Sequence, residues 1–130
     1  MSLSWQTVLA IGTGGFFGAI ARVYIVHVSN KTFVSDFPYG ILIANLIGSF
    51  LIGCLFAYFA TTATSEITKS FLTTGFLGAL TTYSTFAIES FFLLETSLFL
   101  GMTNMALNLF GTILAAGSGY KLLHFFLKSF

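Results

Sequence analysis

Four long stretches of this chain carry no Asp, Glu, Lys or Arg: residues 1–21, 37–65, 70–88 and 96–120. An α-helix rises about 1.5 Å per residue, so each stretch can supply the roughly 20 apolar residues that cross a ~30 Å hydrocarbon core. The pattern predicts four helical spans, at approximately 8–28, 39–59, 71–92 and 98–126. Lys31, Asp36 and Pro38 mark the first connection, and a proline suits the start of the second helix. One segment breaks the apolar pattern. From Gly75 to Phe86 the chain reads Gly-Phe-Leu-Gly-Ala-Leu-Thr-Thr-Tyr-Ser-Thr-Phe, with glycines and hydroxyls in the middle of the third span. Irregular backbone at bilayer depth is tolerated only where protein buries it or it lines a cavity. A third helix broken near its middle is therefore the first place to look for an ion or substrate site.

Composition agrees with an all-α membrane protein. The 130 residues are 56% hydrophobic and only 7% charged, against about 25% charged in soluble domains, and the mean hydropathy is +0.95. Four spans leave almost nothing for a soluble domain, so residues 1–130 read as one transmembrane domain, multi-pass in a plasma or inner membrane. The first span is not read as a cleaved signal: no Lys or Arg precedes it and it exceeds the usual apolar core of such peptides. Cys54 is the single cysteine, so no intrachain disulfide forms. An even number of spans gathers Lys69, Lys121 and Lys128 on one side against Arg22 and Lys31 on the other. Orientation follows the Lys and Arg excess near span ends, and three against two leaves both insertions open. An antiparallel dimer is one consequence; a singly oriented protein is the other.

Small residues recur every four positions: Gly14 and Gly18 leading to Arg22, then Gly40, Ala44 and Gly48, then Gly111, Ala115 and Gly119. In lipid such stripes mark close helix contacts. The polar stripes are more telling, because an unpartnered buried amide or hydroxyl costs about 2–7 kcal/mol. Asn104, Asn108 and Thr112 run down one side of the fourth span, and Asn45 and Ser49 down the second. Interhelical hydrogen bonding explains any one of them; three in register point to a hydrated path. Arg22, within the first span, either snorkels to the interface or faces a vestibule where its charge attracts anions. Glu89 shares a stripe with Gly78, Thr82 and Thr85, as a buried anchor or an interfacial charge. Tyr83 and Phe86 project from one side just after the break. Their ring edges carry the positive end of the quadrupole and suit a small anion. At the break, carbonyls around Gly78 and Thr81 could take a cation, while the half-helix that follows opens with anion-favouring amides.

Three blocks carry a resemblance over nearly the whole chain: residues 14–22, residues 40–48, and Thr74 to Phe86. With them the chain resembles the Fluc (CrcB) family of fluoride channels. The resemblance implies an antiparallel dual-topology homodimer of four-helix subunits in the bilayer, with two fluoride pores and a structural sodium ion at its centre. Sodium would be held by the backbone carbonyls of Gly78 and Thr81 from both subunits. Fluoride would pass Asn45, Tyr83, Phe86 and the Thr85 hydroxyl, with Asn104, Asn108 and Thr112 as the polar track and Arg22 as the vestibule charge. Tyr83 departs from the family's usual phenylalanine, and two amides stand in the track where other members carry Ser, Tyr or His. The implied activity is passive export of cytoplasmic fluoride, with no phosphate-binding motif to couple it to ATP.

Rival classes lack their chemistry. A proton-coupled small multidrug transporter needs a carboxylate in its first span, which here carries Arg22 instead; a purely structural subunit predicts no conductance. An enzyme is not indicated, because His27 and His124 stand near segment ends without ligand-spaced partners and no nucleophile adjoins a base. A net charge of +1 offers nucleic acid no basic patch. Pairing with a paralogue instead of a second copy stays open.

Overall fold

The computed structural model describes residues 3–130. The described chain is helical throughout, and four helices are long and apolar enough to cross a membrane: Trp5–Thr32, Tyr39–Thr61, Glu66–Thr96 and Leu98–Lys128. The first, third and fourth begin at serine caps that satisfy an orphan N–H of the first turn, while the second begins after Pro38 without a side-chain cap. Ser4 accepts from the Thr7 N–H, Ser65 from the Thr68 N–H and Ser97 from the Leu100 N–H. Ser97 also ends the third span, its N–H bonding the Leu93 carbonyl, so one residue joins the third and fourth spans.

Two of the spans are not uniform α-helix. The third opens with a five-residue α-turn, widens into a π-helical segment at Phe71–Leu77 and returns to α at Gly78–Leu80. Thr81 (φ −87°, ψ 154°) and Thr82 (φ −147°, ψ 121°) are then extended, and helix resumes at Tyr83–Thr96. The fourth span carries a second π-turn at Leu107–Gly111. Such single wide turns inside α-helices concentrate at functional positions.

Packing runs through backbone contacts at small residues, as a chain without a hydrophobic drive between helices requires. A Cβ on Gly14 would collide with the Phe71 carbonyl, and one on Gly18 with the Phe76 carbonyl. The first span thus lies directly against the wide turn of the third. Spans two and four meet the same way: Gly53 abuts the Ala116 carbonyl, and Gly119 abuts the Phe50 carbonyl. Gly101 admits Leu94 across the Ser97 corner. The buried core is accordingly slight, built among the described residues of Ile41, Leu42, Ala44, Ala57, Leu77, Leu80 and Leu93, while Phe16, Phe17, Phe91, Phe110 and Phe125 face outward as lipid-facing residues do.

Gly53 tests this packing. A Gly53→Ala methyl must displace backbone, at a cost of about 1–3 kcal/mol. Gly12→Ala, with nothing within 4 Å, should be neutral or slightly stabilising. Thermal unfolding in detergent should separate the two; equal midpoints would contradict the close approach of spans two and four.

Candidate functional site

The interruption leaves peptide groups that helix geometry no longer serves, and two side chains take them over. Asn45, on the second span, pairs edge-on with the Thr82 peptide: its Oδ1 accepts from the Thr82 N–H at 2.8 Å and its Nδ2 donates to the Thr82 carbonyl at 3.1 Å. Thr82 itself caps the resumed helix, its Oγ1 accepting from the Thr85 N–H at 3.2 Å and donating to the Thr85 Oγ1 at 3.1 Å. In an unbroken helix the Thr82 N–H would bond the Gly78 carbonyl, and the Thr85 N–H the Thr81 carbonyl. Both donors are diverted. The carbonyls of Gly78 and Thr81 therefore lose their helical partners near the middle of an apolar span, Glu66–Thr96, where an unmet polar group is costly.

From Asn45 a chain of amides runs to the other side of the helix pair. Asn45 Nδ2 also donates to Asn108 Oδ1 at 3.0 Å; Asn108 Nδ2 donates to the Asn104 carbonyl and to Asn104 Oδ1, each at 3.0 Å; Asn104 Nδ2 donates to Ser90 Oγ at 2.9 Å. Asn45, Asn104, Asn108, Thr82 and Ser90 are all buried, so these bonds are what makes their burial affordable. The wide turn at Leu107–Gly111 lies beside Asn108, and the Thr112 hydroxyl donates to the Asn108 carbonyl.

These groups border a cavity of about 450 Å³ that is open on one side. Of the ten residues that the sequence nominates, Asn45, Gly78, Thr81, Tyr83, Phe86, Asn108 and Thr112 line it. Thr85 and Asn104 stand behind the wall, bonded to Thr82 and Asn108 respectively. Arg22 is not brought to it: it is half-buried on the first span and makes no ion pair among the described residues. The Tyr83 and Phe86 rings meet edge to face, with centroids 5.4 Å apart and planes at 73°. Tyr83 is 81% exposed, so the aromatic pair stands at the cavity's open side. Beside it, the N–H groups of Tyr83 and Ser84, the first two positions of the resumed helix, bond no acceptor among the described residues. Ser49, on the Asn45 stripe of the second span, and Thr73 also line it, and Ile52, Leu77, Met105 and Leu109 supply the apolar part of the wall.

Two contributors are not singled out by sequence. Thr82 reads as one more hydroxyl in the broken segment, although its place three residues before Thr85 fits a helix cap. Ser90 follows Phe86 by one turn, which is its only signal. A second cavity lies between Asp36, Glu89, Thr96 and Ser97 at the other end of the third span.

A family model described as CrcB-like protein, Camphor Resistance (CrcB), matches residues 9–120, a range that holds the whole lining of the first cavity and the amide chain. The chain belongs to the CrcB family. Similar proteins named "Fluoride-specific ion channel FluC" include one from Sulfurimonas denitrificans, 51% identical over 98% of this chain and all of its own length. Another, from Nautilia profundicola, is 43% identical over 97% of this chain and all of its own. A third, from Campylobacter lari, is 44% identical over 88% of this chain and 94% of its own. As a CrcB protein with four spanning helices, the chain is a multi-pass membrane protein.

The amide chain predicts energetic coupling. Asn104→Ala and Ser90→Ala each strand a buried partner, so the double variant should be less destabilised than the sum of the singles by about 0.5–2 kcal/mol. Additive losses in a thermal or denaturant double-mutant cycle would show that the Asn104 to Ser90 bond contributes little.

Proposed function

We propose that the chain is a fluoride-selective channel that lets cytoplasmic fluoride leave the cell down its gradient. The observation that carries the reading is the cavity: at the break of a CrcB-family span it combines two aromatic edges with buried amides and hydroxyls. Its relatives' name points to the same ion. Fluoride is small and strongly hydrated, so a path for it must replace that water with donors at close quarters. Asn45, Asn108, Asn104, Thr112 and Thr85 form the polar side of that path, the ring edges of Tyr83 and Phe86 the other. Arg22 supplies positive charge to a vestibule and holds a fixed field without trapping the ion inside.

The channel works as an antiparallel homodimer. Polar groups at bilayer depth do not face lipid, yet the cavity is open and Tyr83 is exposed in the single chain. A second copy in the opposite orientation covers this side, and the weak Lys and Arg bias permits both insertions. Each subunit then contributes one pathway. A sodium ion at the dimer centre fits the donor set: the carbonyls of Gly78 and Thr81 are hard oxygen ligands whose helical donors Asn45 and Thr82 have taken. Its service there is structural, neutralising converging carbonyl dipoles.

Fluoride efflux from proteoliposomes tests the function. Passive efflux should be fast, chloride efflux should be absent, and Phe86→Ile should lower the fluoride rate by at least about tenfold, the equivalent of ~1.4 kcal/mol in the barrier. A correctly assembled dimer that passes no fluoride would overturn the reading. Sodium should remain bound through many turnovers; sodium flux in fixed ratio to fluoride would remove it from its structural role.

A further inference from the structure

Resting on the fluoride-channel reading, we infer that Ser49 is a further hydrogen-bond donor to the ion, one helical turn beyond Asn45 on the second span. Its level in the bundle follows from the contacts on either side of it. Asn45 bonds Asn108, and Gly53 abuts the Ala116 carbonyl. Spans two and four therefore run side by side in one direction, and Ser49, lying between the two contacts, comes level with Thr112. Both line the first cavity. Four residues of helix rise about 6 Å, so the two hydroxyls form a second polar tier at that distance from the Asn45 and Asn108 amides.

What sets Ser49 apart is its hydrogen. A hydroxyl within a helix ordinarily returns to a carbonyl about one turn back. Of the aliphatic hydroxyls on the cavity wall, Thr73, Thr81 and Thr112 do so, and Thr82 donates to Thr85 Oγ1. Ser49 donates to nothing among the described residues, although the Asn45 carbonyl stands four positions before it. The side chain is half-buried and belongs to the cavity wall. An unmet hydroxyl within an apolar span is costly, and a polar occupant of the cavity removes that cost.

Donors are what a small, strongly hydrated anion requires of a wall. Before the Thr112 hydrogen can turn to an ion, it must leave the Asn108 carbonyl; Ser49 has no such bond to break. Past Ser49 the second span presents Ile52 to the cavity, so this hydroxyl is the last polar side chain that helix offers the ion. An ion leaving the amides thus meets a ready donor about 6 Å on, one turn of the same helix. Being uncharged, the serine holds the ion without trapping it, as passage between successive sites demands.

Fluoride efflux from proteoliposomes and NMR of the wild-type protein test this together. Ser49→Ala should slow efflux by about threefold or more, as loss of one neutral donor requires, and Ser49→Thr, which keeps the hydroxyl, should recover most of the rate. Gly-Ser pairs occur at 48–49 and 117–118 and nowhere else in the chain. Protein with carbonyl-labelled glycine and nitrogen-labelled serine therefore reports the Ser49 amide beside that of the exposed Ser118, which lies outside the cavity and serves as a control. The Ser49 signal should shift with fluoride and not with chloride, while Ser118 stays in place. Wild-type efflux from Ser49→Ala, equal slowing in both variants, or a Ser49 signal that fluoride leaves unmoved would overturn the proposal. The wild-type titration decides even where a variant does not fold. Wild-type protein that conducts no fluoride overturns the channel reading itself; with conduction intact, those results strike Ser49 alone.

Discussion

Two consecutive residues, Thr81 and Thr82, leave the helix near the middle of an apolar span, and the rest of the polar architecture answers to that fact. A peptide group without a partner in hydrocarbon costs several kcal/mol, so the extended pair persists only because something else meets its needs. The Asn45 amide copies the hydrogen-bonding face of a peptide and takes both polar groups of Thr82. The Thr82 hydroxyl starts the next helix. With the interruption secured from the second span and from within, carbonyls, ring edges and helix-opening amides come to one place without a single charged side chain on the cavity wall.

Glycines make this reach possible. Asn45 meets Thr82 because Gly48, three residues along the second span, leaves room for the Thr81 methyl. The wide turn before the break is pressed against Gly14 and Gly18, which leaves no space for a side chain between the first span and the third. The small-residue stripes thus serve the site indirectly. They fix the separation of the backbones, and the separation decides which amides can touch.

Much of the fold is legible in the sequence, because charge is scarce enough that the uncharged runs at residues 37–65 and 96–120 are unmistakable. The ends of the spans are less so: the fourth helix starts at Leu98 as the pattern predicts, but Ser65 starts the third among polar residues, ahead of the predicted 71. The π-turns are not legible as such: Phe71–Leu77 holds Thr73, Thr74 and Gly75 and Leu107–Gly111 holds Asn108 and Gly111, residues that mark stripes or the coming break but not a change of helix pitch. For the site, spacing reveals the asparagine stripe and the aromatic pair, because both repeat within one helix. Which amide meets which peptide is not legible. Asn45 and Thr82 are 37 positions apart, and Asn45 and Asn108 are 63 apart, so their pairing is a property of how three helices are set side by side.

The single-residue corner at Ser97 bears on how the cavity can respond to what enters it. With Ser97 capping both the third span and the fourth, and Gly101 seated on Leu94, the trailing half of the third span and the start of the fourth form a stiff hairpin with no slack. Tyr83 and Phe86 ride on one arm, Asn104 and Asn108 on the other. The distance between ring edges and amides is then a dimension of the scaffold and does not depend on loop closure. In the proposed channel, an ion passing between them would meet a gauge of fixed width, and a larger ion would be rejected because the gauge does not widen.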